Sequence, residues 1–325
     1  MPNEYLYFDW NVVKYSMQPR VGTSDNDLLP IITRLSKQYH IPYSEAHLRD
    51  LASGHSEENK HYSNRDIQFL TNLTGSKAVV FVHEEKTGAE SLAIQSRNIE
   101  ADFAAILQIV NSEERGKVNL SMYSKERVPI DLSLLEEDIF LAKLIDNGGT
   151  LDASVMQRIL VMLWESHDDP ESYKWFRRQV QKIVDNIESR PTALIKNFPA
   201  VHAEILPLFK YLSLQEYDEI QKVFTSALFA FAKFSGRNFQ ELTFGATLEL
   251  AYNLLDFHPF FAEKINEKNR PSNQLRDMKH LYSASKAKFF VTQDRSSLKK
   301  SRFITQALGM KVKVLDVSEF IARFS

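Results

Sequence analysis

Four aspartates carry the chemistry that this sequence could perform. Asp9 follows the apolar run "YLYF", Asp50 sits in "YSEAHLRDL", and Asp277 and Asp294 open and close "DMKHLYSASKAKFFVTQD". Singly, each is what a turn or helix cap often carries. Gathered at one place they would repel one another unless cations compensate, and an oxygen-rich set of this kind suits Mg²⁺ or Mn²⁺. Such ions activate water and stabilise the charge of a phosphodiester under attack, with no protein nucleophile required. His47, three residues before Asp50, and His280, three after Asp277, share helix faces with those acids. There a histidine orients a carboxylate or touches phosphate, although a packed, hydrogen-bonded histidine explains the same letters. Asn11, two residues past Asp9, could brace the carboxylates or reach an ion through water.

The elements around these acids must bring them together. "YLYF" reads as a first strand ending at Asp9. "SDNDLLPIITRLSKQY" reads as a helix with Ser24 or Asp25 as cap and Pro30 in its first turn. "HIPY" is a short extended piece, and Ser44 caps the helix "EAHLRDLAS", which Gly54 ends. Near the other end, a helix from Pro271 to about Lys286 carries Asp277 in its first turn, and "KFFVT" is a buried strand ending at Thr292. "SLKKSRFITQAL", "KVKVLD" and "SEFIARF" follow as helix, strand and helix. This alternation predicts an α/β protein with a parallel sheet, whose carboxyl edge is where ligands bind.

Between them, from 59 to 268, the sequence reads as a large, mostly helical insertion broken by the strand "AVVFVHE". Its examples are "LEEDIFLAKLI", "ASVMQRILVMLW" and "WFRRQVQKIVDNI". "SYKWFRRQVQK" mixes aromatic and basic residues that could stack bases and hold phosphates, but an amphipathic helix packing its aromatics inward explains it better. "HDD" at 167–169 is read as a loop, and "DNGGT" lacks the Lys-Ser/Thr of a phosphate loop.

Composition narrows the classes. The chain has 325 residues, 43% of them hydrophobic, and no cysteine, which excludes disulfides, zinc thiolates and cysteine nucleophiles. Its start lacks the pattern of a signal peptide and its best apolar stretch, "SALFAFAKF", is too short to span a bilayer, so a soluble cytoplasmic protein with no membrane partner is expected. The net charge is only -2, yet between Arg276 and Arg302 eight basic residues face two acids. Arg295, Lys299, Lys300 and Arg302 would follow Asp294 at the rim of the acidic site and grip phosphate that the carboxylates alone would repel. A solvated helix face is the plain alternative.

"FDWNV", "YSEAHLRDL" and "DMKHLYSASKAKFFVTQD", in that order, resemble the motifs of the PIN-like nuclease superfamily. The resemblance covers roughly the first and last 55 residues, and its last motif is the specific one. It implies a three-layer α/β/α domain around a central parallel sheet, split into 1–58 and 269–325 by the insertion at 59–268. It matches Asp9, Asp50, Asp277 and Asp294 to catalytic, metal-binding acids, with Asn11, His47, His280 and Thr292 in support and Glu45 the lesser claimant to Asp50's place. It implies Mg²⁺ or Mn²⁺ as cofactor and an endonuclease acting on RNA or single-stranded DNA, in the manner of toxin or defence nucleases. The insertion would then select the substrate or bind a protein partner or inhibitor. Members that have lost activity leave a second expectation, a non-catalytic interaction module on the same core. A phosphatase of small phosphoesters would use the same metal chemistry.

Overall fold

Residues Tyr5 to Phe8 alternate between two apolar environments. In the computed structural model Tyr5 and Tyr7 belong to one buried cluster and Leu6 and Phe8 to another, as the two-residue period of a strand requires. Phe290 joins the first cluster, and Phe289 and Val291 the second. The structure describes residues 4–83, 90–111, 199–234, 237–266, 269 and 271–325, with short pieces at 128–129, 150–151 and between 170 and 181.

The protein is mixed α/β with a small parallel sheet of three strands, ordered β1 (Leu6–Phe8), β6 (Phe289–Val291) and β7 (Lys313–Leu315). Leu6 pairs with Phe289 and Phe8 with Val291, and Val291 pairs in turn with Leu315. On the other side of β1 the hydrogen bonding continues through a bridge from Tyr5 to His40, inside "HIPY", and from Tyr43 to Ala78. Ala78 lies in β2 (Lys77–His83), which forms an antiparallel hairpin with β3 (Glu90–Ser96). A two-residue ladder joins β4 (Val128–Pro129) to β5 (Thr150–Leu151).

Helices α1 (Trp10–Met17), α2 (Leu28–Leu35), α3 (Glu45–Ser53), α4 (Lys60–Thr74) and α5 (Ile99–Asn111) follow β1 and frame the hairpin. Then come α6 (Pro199–Ser213), α7 (Tyr217–Phe234), α8 (Phe244–Phe257), α9 (Pro271–Ala284), α10 (Arg295–Ala307) and α11 (Val317–Phe324). Side chains of α1 to α5 and α11 fill the cluster that holds Leu6 and Phe8, while α6 to α10 fill the one that holds Tyr5 and Tyr7. Local signals set several boundaries. Gly309 stands at φ 63 just past α10, where a glycine carries no steric cost. Ser44 and His47 form a capping box at α3. The cap expected at Ser24 or Asp25 is not at the start of α2: those residues form a short 3₁₀ turn, where buried Asp25 pairs with Arg20 at 2.6 Å.

The chain divides into two compact units. One comprises Met1–Asn111, Gln179–Lys264 and Ser272–Ser325, and the other Ser112–Arg178 and Ile265–Pro271. The insertion expected at 59–268 is therefore not a body of its own: α4 to α8 share the two cores with the sheet. Helical period shows that a helix has an apolar face but not which core receives it. "LEEDIFLAKLI", "ASVMQRILVMLW" and "HDD" lie outside the described residues. Of "SYKWFRRQVQK", Tyr173, Trp175, Arg177 and Arg178 are helical, with Arg177 5.0 Å from the centre of the Tyr173 ring. Among the described residues no helix is long and apolar enough to cross a membrane.

Candidate functional site at the sheet edge

The parallel register of β1 and β6 sets Asp9 beside Thr292, each one residue beyond its strand. Asp9 is 6% exposed and caps α1, its Oδ1 accepting from the Val12 N–H at 2.8 Å. Its Oδ2 accepts from the Thr292 hydroxyl, and that hydroxyl accepts in turn from the Asp294 N–H at 3.3 Å. Asp294 is exposed and caps α10, with Oδ1 accepting from the N–H groups of Ser296 and Ser297, each at 2.8 Å. Capping alone explains an aspartate at both strand-to-helix junctions. The crosslink through Thr292 goes further and fixes one acid relative to the other.

Asp277 and His280 reach the site from α9. The helix starts at Pro271 as expected, but that places Asp277 nearly two turns inside it rather than in its first turn. His280, 2% exposed, donates from Nε2 to Asp50 Oδ2 at 2.8 Å. Its Nδ1 lies 2.9 Å from the Tyr7 hydroxyl, and the Tyr7 and Ser44 hydroxyls share a hydrogen bond of 2.6 Å. His47 closes the chain: Nδ1 accepts from the Ser44 N–H at 3.0 Å and Nε2 donates to the Phe8 carbonyl at 2.8 Å. His47 Nδ1 also lies 3.3 Å from the Ser44 hydroxyl and 3.4 Å from that of Tyr7, so this ring, accepting at Nδ1 from the Ser44 N–H, carries its proton on Nε2. Both histidines position other groups: His47 binds backbone beside Asp9, and His280 holds Asp50.

The charges at this edge are unequally compensated. Burial is the largest influence on Asp9 and pushes its carboxyl up to about 6, against the pull of His280 and its hydrogen bonds with Thr292 and Val12. Asp277 is pushed well above the usual carboxylate range, by burial first and then by the charges of Asp294, Glu263 and Asp50, with Lys300 opposing. Burial also pushes Asp50 up, but its hydrogen bond to His280 and the charges of His280 and Arg276 outweigh it and hold Asp50 low. Arg276 approaches Asp50 Oδ1 at 3.5 Å, so both oxygens of Asp50 face cations or donors. Burial drives His47 down to about 3, leaving it neutral.

Several expected roles change on this geometry. Lys300 is 0% exposed and pairs with Asp256 at 3.1 Å and Glu263 at 2.6 Å, so it cannot grip a phosphate backbone at the surface. Arg302 is held by Glu319 and the Val314 carbonyl. Lys299 donates to the Phe260 carbonyl at 2.5 Å and lies 3.5 Å from the centre of that ring. Arg295 alone of the four is exposed without a partner among the described residues. Asn11 is exposed and hydrogen-bonds none of the four acids, and Glu45 is taken by Lys279 at 2.8 Å and Arg49 at 2.5 Å. The sequence reading missed Tyr7, Ser44, Arg276 and Glu263. A tyrosine inside an apolar strand signals only core, and Glu263 reaches Asp277 solely through the fold.

A divalent cation suits the donor chemistry of Asp9, Asp277 and Asp294: burial raises the first two, the charge of Asp294 adds to the rise of Asp277, and a positive charge would favour the ionised form of each. Among the described residues, however, no three His, Asp or Glu groups converge into a metal shell as they stand. Comparison of the chain with protein-family models, with curated proteins and with solved structures finds no match.

Proposed function

We propose that the chain is a PIN-like, metal-dependent endonuclease that hydrolyses phosphodiester bonds of RNA or single-stranded DNA, with its sheet as the middle of a three-layer α/β/α domain. The observation that carries this reading is the unbalanced charge on Asp277. Its carboxyl is raised by burial first and then by the charges of Asp294, Glu263 and Asp50, and burial also raises Asp9 at the sheet edge. Frustrated carboxylates in a partly buried site are more common where chemistry is done than where a fold is merely held.

Asp9, Asp277 and Asp294 would hold Mg²⁺ or Mn²⁺. The ion would supply an activated water and neutralise charge on the phosphate. The chain's own residues set the stage. Thr292 fixes the Oδ2 of Asp9 and ties it to the backbone of Asp294. The Asp50–His280–Tyr7–Ser44 chain holds α9 against α3 and so fixes where Asp277 stands on α9. Arg295 offers an unpaired cation one residue past Asp294. Asp50, matched to a metal ligand by sequence, is better placed to orient His280.

A second reading has its own observation. Asp9 and Asp294 are both used as helix caps, and no metal shell is preassembled among the described residues. Both facts suit a PIN-like core that binds nucleic acid or a protein without cutting. Purified protein incubated with labelled single-stranded RNA, single-stranded DNA and duplex DNA in Mn²⁺, Mg²⁺ or EDTA separates the two. The nuclease reading expects cleavage of a single-stranded substrate that needs metal and falls at least about 100-fold in Asp9→Asn and Asp294→Asn. Binding without cleavage under every condition would leave the interaction module, and undiminished cleavage in both variants would remove these acids from the reaction.

A further inference from the structure

Beside Asp50 a second feature stands that the four acids do not account for. A cleft of about 430 Å³ opens between α1, α3 and α4, with Asp50 in its wall. Its volume falls in the range of small-molecule sites. From α1 come Trp10 and Lys14, one helical turn apart, and from α4 come Tyr62 and Arg65. Trp10 directly follows Asp9, so the cleft begins where the candidate site ends.

The lining has the chemistry of a nucleotide subsite. Tyr62 is 52% exposed, a large cost for an aromatic ring that could have been turned inward. The Tyr62 ring is held by two neighbours: the His61 ring lies 3.9 Å from it centre to centre at a 40° tilt, and the Arg65 guanidinium, itself paired with Asp66 at 2.8 Å, lies 5.4 Å from its centre. Trp10 is half-buried, with part of its ring available to the cleft. Lys14 is exposed with no partner among the described residues. A half-buried indole face, the part of the Tyr62 ring that His61 and Arg65 leave exposed and an unpaired cation to meet a phosphate form a combination that suits a single-stranded nucleic acid. A duplex, whose bases are already stacked, has no face to offer them.

We propose that this cleft holds one nucleotide of a single-stranded polynucleotide, its base against Tyr62 and Trp10 and its phosphate at Lys14, next to the bond that the acidic edge addresses. The assignment rests on the nuclease reading for its place in a reaction, but not for its binding chemistry. It also gives the single-strand preference a physical source, and it puts substrate contacts on α1 and α4 rather than on the basic face of α10.

The test uses the full chain in EDTA, where binding is read without cleavage. Fluorescence anisotropy would follow short labelled single-stranded RNA, DNA of the same sequence and the corresponding duplex. Tyr62→Ala, chosen because an exposed ring can be removed without opening the core, is expected to weaken single-strand binding by roughly tenfold or more and to leave duplex binding unchanged. Lys14→Ala is expected to weaken it severalfold and to lower the salt slope by about 0.7, the signature of one lost phosphate contact on a single strand. The RNA and DNA arms identify which backbone is taken. Single-strand affinity unchanged in both variants, or no single-strand binding by the wild-type chain, overturns the subsite. Metal-dependent cleavage whose kcat/KM is indifferent to both substitutions would overturn it while sparing the nuclease. Binding that needs Tyr62 and Lys14 in a chain that never cleaves would uphold the subsite and bring down the nuclease alone.

Discussion

Two groups of ionisable side chains are crowded together in this protein, one around a fully buried lysine and one at a partly exposed sheet edge, and they are built on opposite plans. Around Lys300 the signs alternate: a fully buried ammonium lies between Asp256 at 3.1 Å and Glu263 at 2.6 Å. At the sheet edge the signs repeat, and Asp277 is raised by burial and then by the charges of Asp294, Glu263 and Asp50. Glu263 takes part in both. In the first setting desolvation is answered by opposite charge at hydrogen-bond distance, and the cluster ties α10 to α8. In the second the chain answers it only in part, with Lys300 opposing the rise of Asp277 without a hydrogen bond to it. A charge paired by its own protein holds the fold, whereas one left unpaired awaits something from outside.

Removing the pairing partner should give the largest effect. Lys300→Met leaves Asp256 and Glu263 buried with no cation between them and is expected to cost about 3–5 kcal/mol of stability, read by urea unfolding. A loss below about 1 kcal/mol would mean that water reaches the cluster, and the contrast would fail.

Asp277→Asn should act in the opposite direction. A carboxyl whose folded pKa is raised above its unfolded value makes the fold lose stability as pH rises from the unfolded toward the folded value. At neutral pH the neutral amide removes that penalty, so the melting temperature should rise by roughly a few degrees. In wild type, saturating Mn²⁺ should also raise it, and in the variant that gain should shrink. A variant that melts lower than wild type would show that Asp277 is paired after all.

The smallest effect is a slope. Folded Asp9, at about 6, takes up its proton before an unfolded aspartate does, so acidification from about pH 6 to 4 adds stability there. His47 works against this: held near 3, it refuses the proton that the unfolded chain accepts below about 6.5, and stability is lost as pH falls. Asp9→Asn removes the first contribution and leaves the second. Its melting temperature should therefore fall more steeply than that of wild type between pH 6.5 and 4, by differential scanning calorimetry. Parallel profiles would show that Asp9 titrates as an ordinary surface carboxylate.

Much of the frame around the acids was legible. "YLYF", "KFFVT" and "KVKVLD" contain β1, β6 and β7, and the helices ending at Gly54 and near Gly309 end there, because apolar runs, caps and C-terminal glycines act over a few residues. "ESLAIQS" was missed as a strand. Its polar and small residues fit a half-exposed hairpin arm, and only pairing with β2 shows it. The boundaries of the insertion were misplaced for a related reason: α4 to α8 have the amphipathic period of any helix, and the core they enter is formed by residues far away in sequence.

By itself the sequence determined which residues stand at the strand-to-helix junctions, and that Asp9 and Asp294 are among them. Those positions follow from local propensity and capping, whose physics spans one turn. Only the tertiary structure decided what each charged residue faces. It withdrew Lys300 to a site made by residues 44 and 37 positions away, gave Asp50 to His280 from 230 positions away, and left Lys14 and Arg295 in water. A side chain's charge is written in its letter, but its solvation depends on which distant elements pack over it, and solvation decides whether that charge braces the fold or remains free to bind.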